Sequence, residues 1–176
     1  MKRLLSLFLL SIISNGILFA QSDDLAGAEK IEGFIDFHLD KEKGKIYLEI
    51  ENLNSEFLYV NSLTAGIGSN DIGLDRGQLG DTRIVEFRRS GNKIFLVHKN
   101  LGFRAYSDNP SEVRSINEAF AESIIWGFEI KEKIGDNLIV DATNFYMQDA
   151  HGVSQRLSRS REGTYRTDAS RSGLYY

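Results

Sequence analysis

The sequence predicts an α+β fold: a mainly antiparallel β-sheet built of hairpins, with one amphipathic helix packed on it. Apolar and polar residues alternate with period two in several short runs, which is typical of strands. Short glycine-containing turns separate successive runs, which favours hairpins. One segment combines a helix start signal with an apolar stripe at helical spacing.

The first two predicted strands are residues 33–39 and 45–50, joined by the charged turn DKEKG. A third strand covers residues 56–61. Residues 82–89 and 93–99 flank a Ser-Gly-Asn turn and form a second hairpin. Repetition of strand, turn and strand favours an antiparallel sheet.

The helix begins after Asn109, which can cap it, with Pro110 at the first helical position and Glu112 three residues after the cap. The apolar stripe continues to Ile124, and the helix is predicted to end before Gly127. Its stripe consists of Val113, Ile116, Phe120 and Ile124.

A third hairpin follows the helix. Residues 126–131 and 138–145 are predicted strands around a Gly-Asp-Asn turn. The arginine-rich end, residues 149–176, is predicted to be a solvated hairpin around Glu162-Gly163, with a basic groove as the alternative. Residues 173–176 resemble an interrupted strand, as at the end of a truncated domain.

Five glycines stand in residues 60–80, VNSLTAGIGSNDIGLDRGQLG, between two predicted strands. Glycine allows positive φ and close backbone approach, so this is a shaped loop and not a linker. Four apolar residues are predicted to anchor it: Ile67, Ile72, Leu74 and Leu79.

The first 20 residues are typical of a secretory signal peptide, with Lys2 and Arg3 before an apolar stretch and a small-residue exit at Ala20. The apolar run is too short for a membrane anchor. Residues 21–31 are then a flexible lead and residues 32–176 one domain. We expect a secreted or periplasmic protein with no membrane association after cleavage.

Composition excludes several functions. The formal net charge is −4, and it falls to −6 once Lys2 and Arg3 are removed, so non-specific nucleic-acid binding is not expected. There is no cysteine. Disulfide scaffolds, thiolate zinc sites and cysteine nucleophiles are therefore excluded.

The three histidines do not form a metal motif. No pair is spaced i, i+4, and HExxH is absent. His38 and His98 are predicted to be surface strand residues. His151, with Asp149, is the best polar candidate, although Asp-Ala-His-Gly also describes an ordinary side-chain-bonded turn, which we favour.

The glycine-rich loop offers a weaker set of polar candidates. Calcium could use the hard oxygens of Asn70, Asp71, Asp75 and Asp81, but their spacing is not that of an EF-hand. The favoured alternative is Asx turns plus a salt bridge from Asp71 or Asp75 to Arg76 or Arg83. Phosphate and dinucleotide fingerprints and the GxSxG serine motif are also absent. No catalytic or metal residue is predicted.

Six ordered blocks carry a family resemblance: FLYVNSLTAGIGSNDIGLDRGQLG, YSDNP, FAESIIWGFEI, VDATNF, DAHGV and TYRTDASRS. The chain resembles the N-terminal domain, DUF5117, of large secreted bacterial zinc-dependent metalloproteases. The resemblance implies a metzincin-like catalytic domain, with zinc in an HExxHxxGxxH motif, toward the C-terminus of a parent protein. This sequence contains none of that motif, so no cofactor is expected in this chain.

Two functions follow as expectations. The first is a non-catalytic N-terminal module that shapes or stabilises the catalytic domain, its partner in the parent zinc metallopeptidase. The second is a stand-alone periplasmic or cell-surface binding domain, with loop 60–80 and the arginine-rich end as its ligand surface.

Overall fold

Eight strands form one antiparallel sheet in the computed structural model, which describes residues 24–66 and 71–175. The strands are β1 (Glu29–Ile31), β2 (Asp36–Asp40), β3 (Lys45–Ile50), β4 (Phe57–Tyr59), β5 (Arg83–Ser90), β6 (Lys93–His98), β7 (Ser123–Ile134) and β8 (Asn137–Asp141). Their order across the sheet is β1-β2-β3-β8-β7-β6-β5-β4. The α-helices are α1 (Pro110–Ala119), α2 (Thr143–Tyr146) and α3 (Val153–Arg159), and a short 3-10 helix spans Ala169–Arg171. The α+β prediction is confirmed.

The three predicted hairpins are also confirmed. β2 pairs with β3, β5 with β6, and β7 with β8, each in antiparallel register across a tight turn. Strand β8 then pairs with β3, which joins the first hairpin to the rest of the sheet.

The core lies on one face of this sheet, which is strongly curved. The ring centroids of Phe34, before β2, and Phe57, in β4, are 5.7 Å apart although five strands lie between β2 and β4. Phe145 of α2 fills the concave face, with its ring 5.4 Å from Phe128 and 5.8 Å from Trp126. The buried cluster consists of Leu48, Ile50, Val85, Phe87, Ile94, Leu96, Phe128, Leu138, Val140, Ala142 and Phe145.

Helix α1 begins where predicted but is shorter and less buried. The Asn109 side chain accepts a hydrogen bond from the Ser111 backbone N–H. The helix ends at Ala119, and Ile124 lies in β7, because pairing with Val97 of β6 replaces helical hydrogen bonds there. No residue of α1 is buried, so the predicted packing of its stripe on the sheet is only partial.

Two further helices replace predicted strand. The strand predicted over residues 138–145 ends at Asp141, whose carboxylate accepts the Thr143 N–H at 2.9 Å and turns the chain into α2. The hairpin predicted around Glu162-Gly163 is also wrong. Helix α3 precedes this position, and Gly163 lies outside any strand.

The predicted lead and chain end differ from expectation too. Glu29–Ile31 form β1, and Leu25 is buried with Tyr47 and Ile139 on the convex face. Residues 172–175 belong to no strand. The predicted signal peptide lies outside the described residues, among which no helix has the length and apolarity to cross a membrane.

Candidate functional site at the glycine-rich loop

Loop 60–80 has paired ends. Gly80 N–H donates to the Asn61 carbonyl at 2.8 Å, and Leu63 N–H donates to the Gln78 carbonyl at 3.0 Å. Ser62 and Leu79 form an isolated antiparallel bridge between these contacts. The loop is therefore a short hairpin-like projection, which agrees with the prediction of a shaped loop.

Close packing requires glycine at position 80. A Cβ there would lie 2.5 Å from Oδ1 of Asn61, nearer than real Cβ contacts allow. Any larger residue at this position would displace the Asn61 side chain, so Gly80 leaves the space in which that amide lies.

The predicted apolar anchors of the loop differ in how deeply they are buried. Leu74 is completely buried, as expected for a residue that fixes the loop to the domain. Ile72 is half-buried. Leu79 is 61% exposed, so its predicted anchoring role is wrong. Ile67 lies outside the described residues.

The second part of the site is the turn before α3. Both carboxylate oxygens of Asp149 accept backbone hydrogen bonds, from Val153 N–H at 2.8 Å and Ser154 N–H at 2.9 Å. These are donors that the first turn of a helix leaves unpaired. The interpretation of Asp-Ala-His-Gly as a side-chain-bonded turn is confirmed.

These contacts lower the pKa of the Asp149 carboxyl. Burial raises its pKa, but the N–H groups of Ser154 and Val153 stabilise the charged form more strongly, so the net pKa is lowered. Asp149 is consequently a fixed anion that holds the start of α3 in place.

Two contacts join the loop to this turn, and we call them the clasp. The Asn61 side-chain amide donates to Nδ1 of His151 at 3.0 Å and to the Ala150 carbonyl at 3.3 Å. In the second contact, the guanidinium of Arg156 in α3 donates to the Gly73 carbonyl at 2.8 Å. Residues 83 positions apart in the chain are thereby connected.

The clasp also defines the state of His151. Because Nδ1 accepts from Asn61, a neutral ring carries its proton on Nε2. That atom is buried and has no hydrogen-bond partner among the described residues. Among the described residues, the ring is therefore positioned by a hydrogen bond at Nδ1 and by none at Nε2.

The other loop candidates do not join this site. Asp71 and Arg76 are exposed, and within the described residues neither Asp71 nor Asp75 forms an ion pair with Arg76 or Arg83. Arg83 pairs instead with Asp81, at 3.3 Å. The predicted salt bridge is therefore wrong. Asn70 lies outside the described residues.

No group of three histidine, aspartate or glutamate side chains that could hold a metal ion occurs in the described part of the chain. The site consists of one carboxylate, one amide and one guanidinium that bond backbone groups, and one imidazole that bonds the amide. Sequence reasoning singled out Asp149 and His151 but missed Asn61 and Arg156, the residues that reach across to the other segment.

A second polar cluster was also missed. His38 was predicted to be a surface residue, but it is buried, and its Nε2 lies 3.0 Å from the Glu49 carboxylate. Lys30 and Asn137 bond the same carboxylate at 2.9 and 2.7 Å. Burial raises the pKa of Glu49, but these three partners outweigh burial and lower it overall. Period-two alternation places His38 and Glu49 on the convex face. It does not predict that these two side chains are buried on that face.

The fold and site define an α+β domain whose loop is fixed by its own side chains. The chain belongs to the family described as domain of unknown function DUF5117, whose model matches residues 77–176. A second family model, domain of unknown function DUF5118, matches residues 25–66. No curated protein matches the chain, and no solved structure does.

The two family segments are interleaved in one sheet. The DUF5118 segment supplies β1–β4 and the DUF5117 segment β5–β8. Strands β3 and β4 then pair with β8 and β5, so the DUF5117 strands lie between DUF5118 strands on both sides. The clasp connects the two segments as well, because Asn61 belongs to the first and His151 to the second.

Proposed function

We propose that this chain is a non-catalytic N-terminal module of a secreted zinc-dependent metallopeptidase, and that it shapes or stabilises a catalytic domain later in the parent protein. The resemblance to the N-terminal regions of such proteases supports the peptidase assignment. The observation that carries the non-catalytic role is the clasp.

The clasp supports a structural role because the polar side chains of the site bond to groups of this chain itself. Asn61, His151 and Arg156 bond to each other's segments, and Asp149 bonds backbone N–H groups. A catalytic site needs a nucleophile, base or metal within mutual reach of a substrate. The side chains of the clasp hold the loop in one position, and a loop held in this way offers a rigid surface to a neighbouring domain.

A stand-alone binding domain is the second candidate. Three exposed arginines near the chain end, Arg159, Arg161 and Arg166, have no carboxylate partner among the described residues and favour an anionic ligand. However, Arg156 bonds the Gly73 carbonyl and Arg171 bonds Asp168 at 2.7 Å. Only part of the predicted basic surface is therefore available.

The test compares the purified chain with the same chain continued through the downstream part of its gene. We expect only the longer protein to contain about one zinc per chain and to cleave casein. Zinc content is measured by atomic absorption and cleavage by release of labelled peptides.

A stoichiometric zinc in the short chain, or cleavage by it, would overturn the proposal. A longer protein with neither zinc nor proteolysis would also overturn it and would favour the binding domain. Within an active longer protein, Arg156→Gln should lower the activity, whereas Arg159→Gln on the same helix should leave it unchanged.

A further inference from the structure

A long groove crosses the convex face of the sheet, opposite the core. Two adjoining cavities, of about 960 and about 570 Å³, share Lys99, Asn100, Leu101 and Ala121 along their walls. We call this continuous feature the outer groove. Strands β4–β7 form its floor, and α1 and the connection before α1 form its side.

The outer groove is rich in exposed apolar surface. The rings of Phe103 and Phe120 stack with centroids 3.9 Å apart, and Phe103 remains 55% exposed. Leu58 at one end and Ile124 at the other are 70% and 62% exposed. Soluble monomers rarely expose contiguous apolar surface of this kind unless it binds something.

The charges along the groove are unequal. Arg88 is paired with Glu122, and the Lys99 ammonium lies 3.4 Å from Glu86. Arg104, by contrast, has no hydrogen bond or ion pair among the described residues. One guanidinium group along the groove thus lacks a carboxylate, in a chain whose formal net charge is −4.

The dimensions indicate the kind of ligand. From Leu58 on β4 to Ile124 on β7 the groove crosses four neighbouring strands. At about 4.8 Å between strands this is about 14 Å, the length of about four extended residues. A short extended segment fits this length, and side-chain alternation lets it direct apolar groups to the floor and charges to the rim.

We propose that the outer groove binds an extended polypeptide segment that carries apolar and acidic side chains. The apolar side chains pack on the Phe103–Phe120 stack and Ile124, and a carboxylate pairs with Arg104. The segment belongs to a separate polypeptide, so this inference does not depend on the proposed function.

The test uses three fluorescent octapeptides and the purified chain, with binding followed by anisotropy. One peptide alternates leucine with glutamate, the second alternates leucine with lysine, and the third alternates serine with glutamate. We expect the first to bind at least about tenfold more tightly than the other two, because only it satisfies both the apolar floor and Arg104.

Two variants address the groove directly. Phe103→Ser should weaken the leucine–glutamate peptide about tenfold. Arg104→Glu should reverse the preference between the leucine–glutamate and leucine–lysine peptides. Both side chains are exposed, so the fold should survive, which circular dichroism checks.

The matched controls are Tyr165→Ser and Arg166→Glu, an exposed aromatic residue followed by an exposed arginine outside the groove. These should bind like the parent chain. Absence of leucine–glutamate binding up to about 1 mM, or equal losses in groove and control variants, would overturn the proposal. So would self-association that Phe103→Ser abolishes, because the groove would then belong to a second copy of the chain.

Discussion

The Asn61 amide donates to Nδ1 of His151 at 3.0 Å, across 90 positions of the chain. Asn61 follows β4 and His151 precedes α3, so one hydrogen bond joins the two segments that match different family models. Glycine at position 80 leaves the space in which the amide lies. The relative position of loop and turn is therefore determined by a few side chains.

Asn61→Ala and His151→Ala should each lower the free energy of unfolding by about 1 kcal/mol. Each change removes one partner of a partly buried hydrogen bond. The double variant should lose less than the sum of the single losses, because the second change no longer breaks an intact bond. Urea unfolding of the four proteins measures this coupling.

The matched control is Asn52→Ala, an exposed asparagine without a side-chain hydrogen bond among the described residues. It should change stability by less than about 0.5 kcal/mol. Strict additivity of Asn61→Ala and His151→Ala would contradict the contact.

Arg156→Gln should loosen the loop by removing the bond to the Gly73 carbonyl. The exposed Arg76 lies three residues beyond Gly73, so trypsin should cleave after Arg76 several-fold faster in the variant. Mass spectrometry of early digestion products measures this rate. Arg159→Gln, on the same helix, is the control and should leave cleavage after Arg76 unchanged.

Glu49 should make the fold sensitive to acid. Its pKa is lowered in the folded chain from an ordinary value of 4.5. The stabilisation is therefore complete above about pH 4.5 and is lost as pH falls through the lower folded pKa. Glu49→Gln should be less stable than the parent chain at pH 7, and the gap should narrow below about pH 4.5.

Unfolding by urea at several pH values tests this dependence. Glu51→Gln, two residues along the chain and exposed, is the control and should reproduce the parent pH dependence. A gap for Glu49→Gln that stays constant down to pH 3 would show that the carboxylate charge is not what the buried cluster requires.

Fragments that correspond to the two family matches should not fold separately. Residues 25–66 would leave β3 without β8, and residues 77–176 would leave β5 and β8 with open edges. We expect each fragment alone to lack the circular dichroism of the sheet and an equimolar mixture to regain it. A stable, cooperatively unfolding fragment 77–176 would contradict the interleaved arrangement.

Local signals in the sequence were sufficient for much of the fold. Period-two runs gave the hairpins, and the Asn109 cap gave the start of α1. The end of α1 could not be predicted from its apolar stripe. Ile124 fits the spacing of the helix face and also the alternation of strand β7, and it is the pairing with Val97 that places Ile124 in the strand. Helices α2 and α3 are short and depend on Asp141 and Asp149, which indicate turns equally well.

The candidate site was predictable only in pieces. The glycine-rich loop and the turn at Asp149 and His151 each stand out in the sequence. Their contact does not, since it depends on the curvature of the sheet, which brings Tyr59 of β4 and Phe145 after β8 to a ring distance of 6.0 Å. His38 illustrates the same limit, because its partner Glu49 lies on the neighbouring strand β3 and is itself held by Asn137 from distant β8.

The pairing of β3 with β8 also constrains the order in which strands can pair during synthesis. The β2–β3 hairpin emerges from the ribosome about 90 residues before its second neighbour, β8. Closing such a long loop is entropically costly, and sheets dominated by distant pairs form slowly. One edge of β3 therefore stays open until almost the whole described chain has emerged. This delay makes the unpaired edge of the β2–β3 hairpin a site where aggregation can begin.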